Sequence, residues 1–235
     1  EIKSTRISGK MSCISLGAGS LSECLSVLDS LGPDEMVEIR VDLISKRGNC
    51  GEVDDDGLDQ LFRHERKKIV TCRDLKVAGF TDERRQVLER AMQGGNVDLV
   101  DLEIEAPKEY REKIVACAKK YKVQVIVSYH NYEETPSKSD LAKIVDECFE
   151  YGADVAKVAV LSKSSQDSAR ILSLYEDKRR IVALGMGRPG MITRIAAVEL
   201  GAEFTFVATS AETATAPGQL SRDEMRSISA IIESK

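Results

Sequence analysis

The sequence predicts an α/β fold, a single (β/α)8 barrel occupying residues 1–235, and three observations carry that prediction. Eight short runs rich in Val, Ile or Leu recur at intervals of about 25 to 30 residues, the length of one βα unit. The stretches between them place apolar residues at helical spacing. No linker divides the chain, and eight evenly spaced units without one favour a closed barrel over an open doubly wound sheet.

The runs are MSCISLG (11–17), MVEIRVDL (36–43), KIVTCRD (68–74), VDLVDLEI (97–104), VQVIVSYH (123–130), DVAKVAV (154–160), RIVALGM (180–186) and EFTFVAT (203–209). Each is short and apolar enough to be a buried parallel strand. After the first, Leu21, Cys24, Leu25 and Leu28 share one helix face behind Ser20 or Ser22. After the second, the acidic stretch from Gly48 to Gly57 reads as a surface loop. Val87, Leu88 and Ala91 form the next stripe, stopped by Gly94-Gly95. Pro107 opens the helix carrying Ile114, Val115, Cys117 and Ala118. Leu141, Ile144, Val145 and Cys148 run to Gly152, and Ser168 to Tyr175, Ile192 to Leu200 and Met225 to Ile232 complete the series.

Composition removes several function classes. A net charge of -5 argues against a nucleic-acid surface, although a basic pocket for a small anion remains compatible with it. No apolar run approaches the roughly 18 residues of a membrane span, and no secretory signal is visible. Cys13, Cys24, Cys50, Cys72, Cys117 and Cys148 form no C-x-x-C pair and read as reduced core thiols of a cytoplasmic protein. His64 and His130 are the two histidines, and no set of His, Cys or carboxylates stands at ligand spacing, so no metal site is expected.

In such a barrel the chemistry gathers at the C-terminal ends of the strands, so polar residues there are the informative ones. The second run alternates Glu38, Arg40 and Asp42, which puts all three on one side. Three buried charges imply either a structural ion-pair network or a binding site. Arg73 and Asp74 end the third run with the same two readings, and Asp98, Asp101, Glu103 and Glu105 on the fourth are numerous enough to pair with nearby arginines. The fifth run ends Ser128-Tyr129-His130; a lone histidine is usually structural, but this one falls at the predicted rim. The sixth buries Lys157 among Val155, Ala156, Val158 and Ala159, where desolvation and nearby arginines are expected to favour the neutral amine that attacks a carbonyl.

After the seventh run comes GMGRPG, Gly185 to Gly190. With one strand downstream it is no dinucleotide half-fold, and an anion-binding turn at a helix start is the expected use. Arg194 follows one helical turn on, suited to gripping a carboxylate. Thr215-Ala216-Pro217-Gly218-Gln219 after the eighth run is either a plain turn or part of the same mouth.

Taken in order, these motifs resemble one family. Glu38-x-Arg40-x-Asp42, Thr71-x-Arg73, Ser128-x-His130 with Thr135-Pro136, Asp154-x-x-Lys157-x-Ala159, Met186-Gly187-x-x-Gly190-x-x-Thr193-Arg194 and Ala216-Pro217-Gly218-Gln219 are similar to the signatures of type I 3-dehydroquinate dehydratases. The resemblance spans essentially the whole chain. It implies a TIM barrel, no metal and no organic cofactor, the small molecule 3-dehydroquinate as substrate, and commonly a homodimer. It further implies Lys157 as the Schiff-base lysine and His130 as general acid and base. Arg194 would hold the substrate carboxylate, with Glu38, Arg40, Arg73, Thr215 and Gln219 binding the remaining polar groups. Thr215 stands where the family has Ser and keeps the hydroxyl. Val77 stands where the family often has the Glu that partners the catalytic histidine. Another group or a water must then orient His130; Glu103 is the candidate, and the rival reading is that Glu103 pairs with an arginine and only tunes the local charge.

Two other readings share parts of this constellation. A class I aldolase would share Lys157 but prefer a phosphate-bearing substrate. A metabolite sensor built on a dehydratase-like domain would be expected to lose Lys157 or His130, and this chain keeps both.

Overall fold

A computed structural model describes residues 12–17, 20–32, 35–44, 55–73 and 79–234. The eight runs become eight parallel strands: β1 (Ser12–Leu16), β2 (Glu35–Arg40), β3 (Lys68–Thr71), β4 (Leu99–Glu103), β5 (Gln124–Asn131), β6 (Val155–Leu161), β7 (Ile181–Met186) and β8 (Thr205–Val207). Each pairs with its sequence neighbour from β1 to β7, and β1 also pairs with β8. The barrel is nearly closed. No β7–β8 ladder occurs among the described residues, and that seam is bridged beyond the strands, where the Gly187 amide donates to the Pro217 carbonyl at 2.9 Å.

The helices are α1 (Leu21–Ser30), α2 (Val41–Ile44), α3 (Asp55–Arg63), α4 (Asp82–Gly94), α5 (Lys108–Tyr121), α6 (Lys138–Glu150), α7 (Ser165–Leu172), α8 (Met191–Leu200) and α9 (Arg222–Glu233). Local chemistry sets their starts. Ser20 with Glu23, Ser164 with Asp167 and Ser221 with Glu224 form reciprocal capping boxes at α1, α7 and α9. Thr81 and Ser137 cap α4 and α6. None of the helices among the described residues is long and apolar enough to cross a membrane.

Two departures from the sequence reading concern the second unit. The chain leaves the sheet at Arg40, the last residue in register with β3, and turns into α2, so Asp42 is helical and not a strand residue. Helix α3 was not anticipated; it buries Leu58, Leu61 and Phe62. Most of the acidic stretch before it lies outside the described residues, as do Asp74 and Val77. Cys13, Cys24, Cys117 and Cys148 are free, but Cys72 is disulfide-bonded, contrary to the expectation of reduced thiols throughout.

Strand alternation sorts side chains into two cores. Outward residues such as Ile14, Val37, Val70, Val100, Val127, Val158 and Ala183 pack under the helices. Inward residues Cys13, Met36, Ile69, Leu99, Ile126, Val155, Val182 and Phe204 plug the lower barrel. Two positions further along β1 to β6 the interior turns polar, while Leu184 and Phe206 keep the β7–β8 side apolar, and this change of layer creates the site.

Candidate active site at the barrel mouth

The second inward layer holds Ser15, Glu38, Thr71, Asp101, Ser128 and Lys157, all buried, with Arg40, Arg73 and His130 one step above. The eight residues singled out from the sequence, Glu38, Arg40, Arg73, His130, Lys157, Arg194, Thr215 and Gln219, line one cavity of about 490 Å³ with Tyr132 and Phe206.

Asp101 is the hub of this layer. Its carboxylate accepts from Lys157 Nζ at 2.9 Å, Arg73 Nη2 at 2.7 Å and Ser128 Oγ at 2.7 Å. Burial alone would raise its pKa, but the Lys157 and Arg73 charges outweigh it and hold the carboxyl far below the usual range. Glu38 accepts from Ser15 Oγ at 2.9 Å and Thr71 Oγ1 at 2.8 Å and stands 3.6 Å from Lys157 Nζ. Burial opposes its ionisation, yet Lys157 and Arg40 prevail and keep it charged. Lys157 therefore sits between two carboxylates, with Nζ 4.3 Å above the Phe206 ring. Of the arginines expected around it, Arg40 makes a two-pronged pair with Asp42, at 3.1 and 2.6 Å, and Arg73 shares the Asp101 carboxylate with Lys157.

His130 faces Arg73, whose Nη1 lies 2.9 Å from Nε2. A guanidinium only donates, so Nε2 accepts and Nδ1 carries the proton. Burial, then the Arg73 and Lys157 charges, push His130 well below the usual imidazole range, against a smaller opposing pull from Asp101. The ring is neutral at pH 7 and stacks on Tyr132, with centroids 6.2 Å apart and planes 22° from parallel.

Glu103 does not hold His130, which corrects the sequence expectation. Its carboxylate is gripped by Arg84 at 2.8 and 3.0 Å and stands 3.7 Å from Arg73 Nε. The cause is geometric: Arg84 projects from the inner face of α4, one turn before Leu88 and two before Ala91, and reaches the strand ends first.

Arg194 is different in kind. It is 1% exposed, its Nε and Nη2 have no hydrogen-bond partner, and burial pulls its pKa down to about 10. Arg40, Arg73, Arg84 and Lys157 each have a carboxylate partner. The glycine-rich turn before it is not the anion cradle the sequence suggested. The Gly185 amide donates to Thr193 Oγ1, that of Gly187 to Pro217 O and that of Gly190 to Gly187 O. The glycines serve close packing instead: a Cβ on Gly190 would lie 2.5 Å from the Gly185 carbonyl carbon, and one on Gly218 (φ +75°) 2.6 Å from Gly187 O. Thr215 donates to Gln219 Oε1 from its amide and its hydroxyl, at 2.7 and 3.1 Å, so this loop is a shaped edge of the mouth and more than a turn.

Asp101, Arg84, Tyr132 and Phe206 were not picked out as site residues. Asp101 was legible as an acid two positions after Leu99 on an inward face. Arg84 was legible only as a charge on the buried period of α4. Tyr132 and Phe206 carried no signal beyond their nearness to the rim.

No group of three His, Cys, Asp or Glu able to hold a metal occurs among the described residues. A parallel eight-stranded barrel with such a charged mouth defines the class of the molecule, a (β/α)8-barrel enzyme. The chain belongs to the type I 3-dehydroquinase family, whose model matches residues 12–235, and is a hydro-lyase. A 3-dehydroquinate dehydratase of Shouchella clausii is 31% identical over 230 residues, covering 91% of this chain and 87% of the relative. The crystal structure of the type I enzyme from Clostridium difficile, with covalent modified comenic acid, matches at TM-score 0.81 and 25% identity over 95% of this chain and 92% of that one. That of 3-dehydroquinate dehydratase from Geobacillus kaustophilus matches at TM-score 0.79 and 26% identity over 97% and 92%.

Proposed function

We propose that the chain, acting as one catalytic domain, converts 3-dehydroquinate to 3-dehydroshikimate in the shikimate pathway by syn elimination through a Schiff base on Lys157. The observation that carries the reading is Arg194. A buried guanidinium with two unpaired nitrogens on the wall of the cavity that holds Lys157 calls for an anionic ligand group, and the substrate carboxylate supplies it.

With the carboxylate on Arg194, the C3 ketone meets Lys157 Nζ. The Lys157 ammonium first gives up a proton, the free amine attacks C3, and that proton leaves with the carbonyl oxygen as water; the cationic imine that results acidifies the C2 proton. His130, neutral at pH 7, takes that proton and returns it to the departing C1 hydroxyl. Hydrolysis of the imine then releases product and restores Lys157. Asp101 and Glu38 stabilise the cationic imine as they do the ammonium. Arg73 occupies the Nε2 lone pair in this structure, so its Nη1 must turn to a substrate oxygen as the base engages. Arg40, Thr215 and Gln219 complete the contacts to ring hydroxyls. The reaction as written consumes no metal or organic cofactor. Assembly as a homodimer and residence in the cytoplasm belong to the same proposal and rest on the family resemblance.

Borohydride added with substrate or product tests the mechanism. Reduction should fix the ligand on Lys157, read by peptide mass spectrometry, and Lys157→Ala should abolish both label and turnover. Label on a different lysine, or no label in a fully active enzyme, would sink the Schiff-base route.

A further inference from the structure

We propose that Arg84, on α4 outside the barrel, is a positioning residue for the site: by holding Glu103 it keeps that carboxylate off Arg73 and leaves Arg73 donating to His130. The importance of this for turnover rests on His130 being the base; the structural claim does not.

Arg84 is almost wholly buried, and each of its three guanidinium nitrogens donates. Nε and Nη2 reach the Cys72 carbonyl at 3.0 and 2.7 Å, Nη1 reaches the Gly79 carbonyl at 2.9 Å, and Nη2 also meets both Glu103 oxygens. The guanidinium lies 4.9 Å from the centroid of the Phe80 ring. It thus pins the main chain one residue before Arg73 and, on the other side, the acid that competes for the Arg73 side chain. The competition is visible in the distances. Glu103 Oε1 is 2.8 Å from Arg84 Nη2 and 3.7 Å from Arg73 Nε, a buried nitrogen with no hydrogen-bond partner.

Without Arg84, Glu103 is a half-buried carboxylate that has lost its cation, and Arg73 Nε is the donor beside it. Closing that gap satisfies both groups and draws the guanidinium toward β4, away from His130 Nε2. The other groups that face the imidazole stay where they are: Asp101 from β4, Lys157 from β6, Arg40 from β2 and the phenol of Tyr132. With Arg73 withdrawn, one of the charges that disfavour the imidazolium is weakened.

The chain has two histidines, so 15N-imidazole NMR of the substrate-free full-length enzyme, with His64→Asn for assignment, reads His130 directly. Arg84→Met should raise the His130 pKa by about one unit or more and remove the hydrogen-bond signature at Nε2. The kcat should fall roughly tenfold with little change in KM. Adding Glu103→Gln should erase most of the rise, because a neutral amide no longer pulls on Arg73, and Glu103→Gln alone should not raise the pKa. If Arg84→Met does not fold, Arg84→Gln with and without Glu103→Gln carries the same comparison. A His130 titration unchanged by loss of Arg84, or a rise as large in the double variant as in the single, would overturn the proposal. Because the titration uses no substrate, its failure is distinct from a failure of borohydride labelling at Lys157.

Discussion

Replacing Arg194 by Met should make the protein more stable and a worse enzyme. Burial pulls the Arg194 pKa from 12.5 to about 10, with no compensating charge. At about 1.4 kcal/mol per pKa unit, keeping that cation buried costs the fold on the order of 3 kcal/mol. Met fills much the same space without charge. For a chain of this size each kcal/mol moves Tm by about 2–4 °C. Allowing for imperfect packing of the new side chain, Arg194→Met should melt at least about 3 °C higher. The excess should persist from neutral pH up to about 10 and shrink above it. There the native guanidinium deprotonates before the unfolded one, so wild-type stability climbs with pH. Loss of a charge-assisted contact to a carboxylate should lower kcat/KM by about 1.5–3 kcal/mol, roughly 10- to 150-fold. Thermal melts by circular dichroism and absorbance of the conjugated enone product read the two effects on the same samples. A variant that melts lower than wild type and keeps its kcat/KM would refute the reasoning at both steps.

Three further outcomes follow from the structure. His130 is held neutral, so the acid limb of kcat/KM should lie well below pH 6.5; a limb at or above 6.5 would mean the ring is not shielded as described. The same group links to stability. Its folded pKa is depressed, so below about pH 6.5 the unfolded chain binds a proton the native one does not, and wild type should lose stability faster on acidification than His130→Phe. Gly190→Ala should cost about 1–3 kcal/mol of stability, because its Cβ would meet backbone atoms of Gly185 at 2.5 to 2.8 Å. It should also lower kcat/KM, since α8 carries Arg194; unchanged kinetics would show that the turn does not set the Arg194 position.

The barrel was legible because period and spacing are local properties. Buried parallel strands read as short apolar runs, and all eight were found within about three residues of their ends. The misreadings fell where tertiary pairing ends a strand. Nothing in MVEIRVDL says that the ladder to β3 stops at Arg40, so Asp42 was assigned to a strand it does not occupy. Helix α3 was missed because its apolar face, Leu58, Leu61 and Phe62, is short and follows an acidic stretch.

The site was legible in membership and less so in partnership. Alternation put the charges of a strand on one side, and the family resemblance brought Glu38, Arg73 and Lys157 to one site. Which carboxylate meets which cation depends on strand register and on what the outer helices contribute, and neither is written in a single strand. The Glu103 assignment shows the difference. Nearness to His130 on a neighbouring strand was correct: Glu103 and Ser128 are register partners, two residues from His130. An arginine arriving from α4 then satisfies the carboxylate before the imidazole can, and the imidazole is left to Arg73. The same pairing explains why Arg194 stands apart. Once each carboxylate of the mouth is paired with Arg40, Arg73, Arg84 or Lys157, none is left for it. The fold retains an unpaired cation whose burial is unfavourable, and under the proposed function a substrate carboxylate would bind and neutralise it in one event.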